Sequence, residues 1–250
     1  MSNPANWPAC RTDAMGDPAL NPALDADRIS EAYQRDGRVH VPGILTEESA
    51  ARVHRCLEQE TDFSIVTRNG SGYVRLRPGA TLTPQQQGEL MSKAYAQARE
   101  NFHYLYDNHP MSNDGEPYPD PSHYLAAITR FLNSAPVLDF ARAITGNTAI
   151  AFAEAQATRY RPGHFLNLHD DSHAVHKRIA AYVLNMTPHW RLDWGGALLF
   201  CAPSGHIAEG YSPAFNALNI FSVPQDHLVG FISPFSGAAR YSVTGWFRAS

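Results

Sequence analysis

The sequence predicts an α+β protein in which a helical layer supports a β-sandwich. Three observations carry this expectation. The first half of the 250 residues holds amphipathic runs of helix length. After Gly146 the chain turns to apolar runs of strand length, punctuated by Gly, Pro, Asn and Ser. Helices come first and strands later, which argues against alternating βαβ units. One domain can use a chain of this length. The expected organisation is an irregular leader over 1–24 and a single domain over 25–250, helix-rich in 25–145 and sheet-forming in 146–250.

Each element has its own signal. The leader is rich in Pro, Asn and Ala. "DADRISEAYQRDG" sets Ile29 four residues before Tyr33 and stops at Gly37, as a helix does. "RVHVPGIL" reads as a short strand, and Thr46 as the N-cap of "EESAARVHRCLEQE", where Ala50, Val53 and Leu57 form one stripe. Asn69-Gly70 is a hairpin turn between "FSIVTR" and "GYVRLRPG". Pro84 is expected to open a long helix reaching about Asn108, whose Phe102, Tyr104 and Tyr106 pack on the β-core. "HPMSNDGEPYPDPSH" is a loop, and helices follow near 122–132 and 136–145. The remaining strands are expected in "TAIAFAEAQATRY", "FLNLHDD", "RIAAYVLNMT", "GGALLFCA", "NALNIFSV", "HLVGFIS" and "RYSVTGWFR".

Composition excludes several function classes. A net charge of -4 gives no basic field to hold nucleic acid or anionic lipid. No eighteen apolar residues run together, so no spanning helix is expected. The first residues lack the basic-then-apolar pattern of a signal peptide. Cys10, Cys56 and Cys201 are odd in number and share no metal-ligand spacing, which suits reduced thiols and a cytoplasmic location.

The candidate metal site lies in "FLNLHDDSHAVHKR". Strand alternation places Asn167, His169 and Asp171 on one face and Leu166, Leu168 and Asp170 on the other. The leucines mark their face as apolar, so His169 pairs with Asp171 rather than Asp170. Two histidines and one carboxylate on one face of an octahedron suit Fe(II) and leave positions open to other ligands, whereas a structural zinc site needs a fourth protein ligand. His227, opening "HLVGFIS", and His206, in the turn "APSGHIAEG", are the downstream histidines considered as a third ligand. His206 lacks a strand to fix it. His173 and His176 follow the motif in a loop beside the expected mouth of the site.

In "RYSVTGWFR" the same alternation puts Arg240, Ser242, Thr244 and Trp246 on one face. An arginine turned into a pocket is costly unless it meets an anion, and no protein acid is an obvious mate. Its planar guanidinium suits bidentate capture of a ligand carboxylate, helped by Ser242.

Taken together, "HDD", "RIAAYVLNMTPHW", "WGGALLF", "FNALNIFSVPQDHLVGF" and "RYSVTGWF" resemble the 2-oxoglutarate- and Fe(II)-dependent dioxygenases. Within them the chain resembles the prolyl-4-hydroxylase-like group, above all its ribosomal-protein prolyl hydroxylase branch, over about residues 146–250. The resemblance implies a double-stranded β-helix, the jelly-roll form. It implies His169, Asp171 and His227 as iron ligands, with Arg240 and Ser242 holding the distal carboxylate of 2-oxoglutarate and Tyr160 lining the cosubstrate pocket. Where some relatives keep a cosubstrate-binding tyrosine, this chain has Val183, and Tyr182 points the other way by parity.

The activity implied is hydroxylation of an unactivated C–H with Fe(II), 2-oxoglutarate and O2, with ascorbate as a candidate reductant. The substrate expected first is a prolyl residue of a protein or peptide. A free amino acid or small metabolite is the alternative, and Trp246 and His173 are candidate substrate contacts. A cupin-like metal-binding jelly roll without turnover is the competing class, but it has no use for the Arg240/Ser242 face.

Overall fold

The computed structural model describes residues 16–70, 72–78 and 82–250. Cys10 and most of the expected leader lie outside the described residues. Helix α1 (Ala26–Asp36) begins where the Asp25 carboxylate accepts from the Arg28 N–H and ends on Gly37 in the left-handed region. Strand β1 (Arg38–Pro42) follows. Helix α2 (Glu47–Arg55) is capped by Thr46 and continues as a π-turn through Cys56–Glu60. Its stripe of Ala50, Val53 and Leu57 is fully buried.

Strands β2 (Ser64–Asn69) and β3 (Gly72–Arg75) form the expected hairpin. Helix α3 (Pro84–Ala98) opens with a capping box of Thr83 and Gln86. It stops ten residues earlier than the sequence suggested, and Tyr104–Ser112 form strand β4. No glycine or proline stands between Ala98 and Tyr104 to announce the break. Pairing of β4 with β2 and with strands further along decides it. Phe102, Tyr104 and Tyr106 therefore line a cavity and are not a helix face packed on the core. His109–Ser112, expected as loop, close that strand.

Helices α4 (Tyr124–Leu132) and α5 (Ala135–Thr145) come next. Then follow strands β5 (Phe152–Ala153), β6 (Ala155–Tyr160), β7 (Phe165–His169), β8 (Arg178–Met186), β9 (Leu198–Cys201), β10 (Ile207–Tyr211), β11 (Phe215–Ser222), β12 (His227–Val229) and β13 (Arg240–Arg248). The main path through the sheet is β1-β11-β8-β13-β6-β4-β7-β12-β9-β10, antiparallel at every step. Arg38 on β1 and Glu209 on β10 form an ion pair of 2.6 Å across the two ends, so the sheet is a nearly closed jelly-roll barrel.

The division at residue 146 does not hold as a division of roles. Strand β1 pairs with β11, and β4 lies between β6 and β7, so the N-terminal half builds part of the barrel wall. Alternation on β8 separates two cores. Ala180, Tyr182, Leu184 and Met186 face outward into the cluster shared with α1, α2, α4 and α5, while Ala181 and Val183 face inward with Phe200 and Phe221.

Candidate active site

A cavity of about 250 Å³ opens inside the barrel, walled by β4, β6, β7, β8, β12 and β13. His169 ends β7 and His227 begins β12, and the two residues are directly paired across the strands. Their rings are 4.1 Å apart between centroids. The Asp171 carboxylate reaches both, with Oδ1 at 3.5 Å from His169 Nε2 and Oδ2 at 3.5 Å from His227 Nε2.

The expected face of His169 came from unbroken alternation, and the structure differs. Leu166 pairs with Val229 and His169 with His227, so two residues of β7 oppose one of β12. This bulge turns His169 onto the same inner side as Leu166, which three regular strand positions would forbid. Leu168, expected on an apolar face, is 49% exposed. Asp171 then turns inward with φ of 62°, while Asp170 faces solvent and accepts from the Ser172 N–H and hydroxyl. The structure thus brings Asp171, and not Asp170, to the histidines, through a bulge and a turn.

The donor set suits a metal. Each imidazole Nδ1 lies near a backbone carbonyl, at 2.8 Å from Asn167 O and 2.7 Å from Gln225 O. A proton on Nδ1 leaves the Nε2 lone pair free to ligate. The candidate ligand atoms all lie within 4.8 Å of one another. Burial works to raise Asp171, but His169, His227 and the Trp246 indole outweigh it and hold the carboxyl below its usual value. Burial, reinforced by His169, lowers His227 and keeps it neutral. A second group, Asp114, Glu154 and His176, also places ligating atoms together, but Arg248 already bonds both of its carboxylates.

Arg240 enters the same cavity from β13. It is 2% exposed, and the one hydrogen bond of its guanidinium among the described residues is a long 3.5 Å contact from Nη2 to Asn185 Oδ1. Its Nε has no partner, and no carboxylate lies within ion-pair distance among the described residues. Burial lowers its pKa, as expected of a cation without a counter-charge. Tyr160 lies under the guanidinium at 5.2 Å and stacks on Tyr106 at 5.1 Å. Burial raises both phenols well above their ordinary range, so they remain donors. Ser242 is fully buried and shares a 2.8 Å hydrogen bond with Thr158. Val183 lines the cavity, while the Tyr182 hydroxyl donates to Glu154 O at 2.7 Å.

Of the other expected residues, Trp246 lines the cavity beside Asp171. His173 and His206 are exposed, and the residues that line the cavity include neither of them. Phe102, Tyr106, Thr158 and Arg178 line the cavity although the sequence had assigned them no role there. Alternation along β6 from Tyr160 back to Thr158 could have found one of them. Arg178 heads the strand that follows the metal motif, and it stacks on Trp246 at 3.6 Å.

Residues 155–248 match the family model described as the 2OG-Fe(II) oxygenase superfamily. No curated protein matches the chain. Among solved structures it resembles a Pseudomonas putida prolyl-4-hydroxylase, with a TM-score of 0.57 at 16% identity over 90% of this chain and 100% of that one. It also resembles a Trichoplax adhaerens prolyl hydroxylase in complex with a hypoxia inducible factor peptide, with a TM-score of 0.59 at 15% identity over 90% and 89%. A third is SnoN, an α-ketoglutarate-dependent epimerase of nogalamycin biosynthesis, with a TM-score of 0.53 at 14% identity over 88% and 81%. At such identities these structures speak for the fold, the double-stranded β-helix. The family model spans the strands that carry His169, His227 and Arg240, so the likeness to the 2OG-Fe(II) oxygenase superfamily falls on the candidate site itself.

Proposed function

We propose that this chain is an Fe(II)- and 2-oxoglutarate-dependent oxygenase that hydroxylates an unactivated C–H of its substrate, a prolyl residue of a protein or peptide being the first candidate. His169, Asp171 and His227 would hold Fe(II), and Arg240 would take the distal carboxylate of 2-oxoglutarate. Bound there, iron and 2-oxoglutarate supply the oxidising chemistry, in which the cosubstrate and O2 yield succinate, carbon dioxide and a hydroxylated product.

The chain's own residues position and shield. The Arg240 fork orients one carboxylate, and the Ser242–Thr158 hydroxyl pair lies on the same strands to complete its hydrogen bonding. Tyr160 and Tyr106 form a flat wall of the cavity that would lie beside the cosubstrate, and their phenols keep their protons. Trp246, Phe221 and Leu198 give part of the cavity an apolar lining. The prolyl assignment draws on the likeness to two prolyl hydroxylases.

The observation that carries the reading is the buried, unpaired guanidinium of Arg240 in the cavity that holds the two-histidine, one-carboxylate set. Its test is an anaerobic titration with Fe(II) and then 2-oxoglutarate, followed by the visible charge-transfer band of a chelated 2-oxo acid. A band saturating near one equivalent is expected. Iron binding without the band would overturn the cosubstrate assignment. Proline-containing peptides and free proline, compared for the mass gain of one oxygen atom, test the substrate; turnover of free proline alone would overturn the peptide reading.

A further inference from the structure

The β2–β3 hairpin continues the wall of the cavity. Residues directly opposite in a sheet share a face, and Val66 pairs with both Tyr106 on β4 and Arg75 on β3. Arg68 pairs with Tyr73 and stands two positions from Val66, so Arg68, Tyr73 and Arg75 lie on the same face as Tyr104 and Tyr106. The wall thus runs from Tyr160 through Tyr106 to the hairpin, and its outer part bears arginines.

None of these arginines meets a carboxylate among the described residues, whereas Arg159, Arg161 and Arg248 each do. Arg68 lies over Phe102 at 5.2 Å, with Nε buried and without a partner among the described residues. Among the described residues the Arg75 guanidinium donates only to the Asn108 side chain, at 3.1 Å. Arg178, at the cavity, gives one N–H to the Asp171 carbonyl at 2.9 Å, and its Nε is also buried without a partner. The nearby Glu154 is engaged by Arg248. Asp171 is the one carboxylate among the described residues lining the cavity, and the metal set uses it.

We propose that the substrate is an acidic segment of polypeptide laid across this face, with its acidic side chains on Arg68 and Arg75. This rests on the oxygenase reading and adds the chemistry of the substrate. The reach favours a peptide over a small acid: from Tyr160 to Arg75 the path crosses three strand spacings, about 14 Å. An extended peptide covers that in about four residues, so the acidic side chains stand about four positions from the residue that enters the cavity. Planar guanidinium groups suit carboxylates held in this way.

The test measures binding, with no turnover. Three fluorescent peptides of equal length carry one central proline flanked by Glu, by Gln or by Lys, and are titrated into the full chain loaded anaerobically with Fe(II) and 2-oxoglutarate. The Glu peptide is expected to bind about tenfold more tightly than the Gln peptide, with the difference shrinking as salt rises. The variant R68Q/R75Q should lose that difference while keeping the charge-transfer band; the single variant R75Q, at an exposed position, should lose part of it and guards against misfolding. Equal binding of the Glu and Gln peptides, preference for the Lys peptide, or an undiminished Glu preference in R75Q and R68Q/R75Q overturns the proposal. So does displacement of the Glu peptide by free glutarate or by an oligonucleotide at the peptide's own concentration. Loss of the charge-transfer band in the unaltered chain counts against the oxygenase reading instead, and the two failures are distinguishable.

Discussion

Replacing Arg240 with Met should act on the protein in opposite directions with and without cosubstrate. In the free protein the guanidinium is 2% exposed, without a counter-charge, and holds one hydrogen bond at 3.5 Å. Replacing buried ionic groups by apolar ones of similar volume is often stabilising by about 1–4 kcal/mol. A gain of about 2 kcal/mol raises Tm by roughly 4–8 °C in a chain of this size. For 2-oxoglutarate the sign reverses. Truncating one member of a buried, hydrogen-bonded charge pair costs about 2–5 kcal/mol, roughly thirtyfold to several thousandfold in affinity. Thermal melts of the metal-free protein and the anaerobic charge-transfer titration read the two effects separately. A variant that is less stable than the parent and binds 2-oxoglutarate equally well would refute the reasoning, because it would make Arg240 a structural cation.

Three further outcomes are expected. Asp171→Ala should abolish Fe(II) binding in an equilibrium titration, whereas Asp170→Ala should retain it and lose about 1 kcal/mol of stability with the Ser172 turn; equal metal loss in both would refute the assignment. His164 is buried, and its pKa falls from 6.5 to about 4, chiefly through desolvation. The unfolded chain therefore takes up a proton that the folded chain refuses, and stability drops as pH falls from 6.5 toward 4, by about 3 kcal/mol. His164→Gln should remove that part of the slope in urea titrations at pH 7 and pH 4, and parallel slopes would count against it. A fragment of residues 146–250 should be insoluble or lack cooperative unfolding, since β4 and β1 would be missing from the wall; a cooperative melt would refute this.

How far the site could be read from the sequence depended on whether strand alternation was interrupted. In β13 it is not: Arg240, Ser242, Thr244 and Trp246 face inward, while Val243 and Phe247 join the outer core, as the residue order implied. In β7 the alternation breaks at the bulge, and the parity that pointed to His169 and Asp171 described a regular strand the protein does not contain. A bulge carries no residue signature strong enough to be read in isolation. Strand β4 was hidden for another reason. "YLYDNHPMS" follows a well-capped helix without a stop signal, and its strand character comes from its pairing with β2 and β6. The aromatic wall of the cavity was misplaced with it.

The interleaving of the two halves also bears on how the chain reaches this state. Strand β1 emerges early in synthesis, yet Val39 pairs with Ile220, and β4 waits for both β6 and β7. Such long-range pairings close large loops before they are rewarded, which slows folding and leaves strand edges bare in the meantime. The wall of the cavity is thus expected among the last parts to be assembled, and the early strands stay open to mispairing until their late partners arrive.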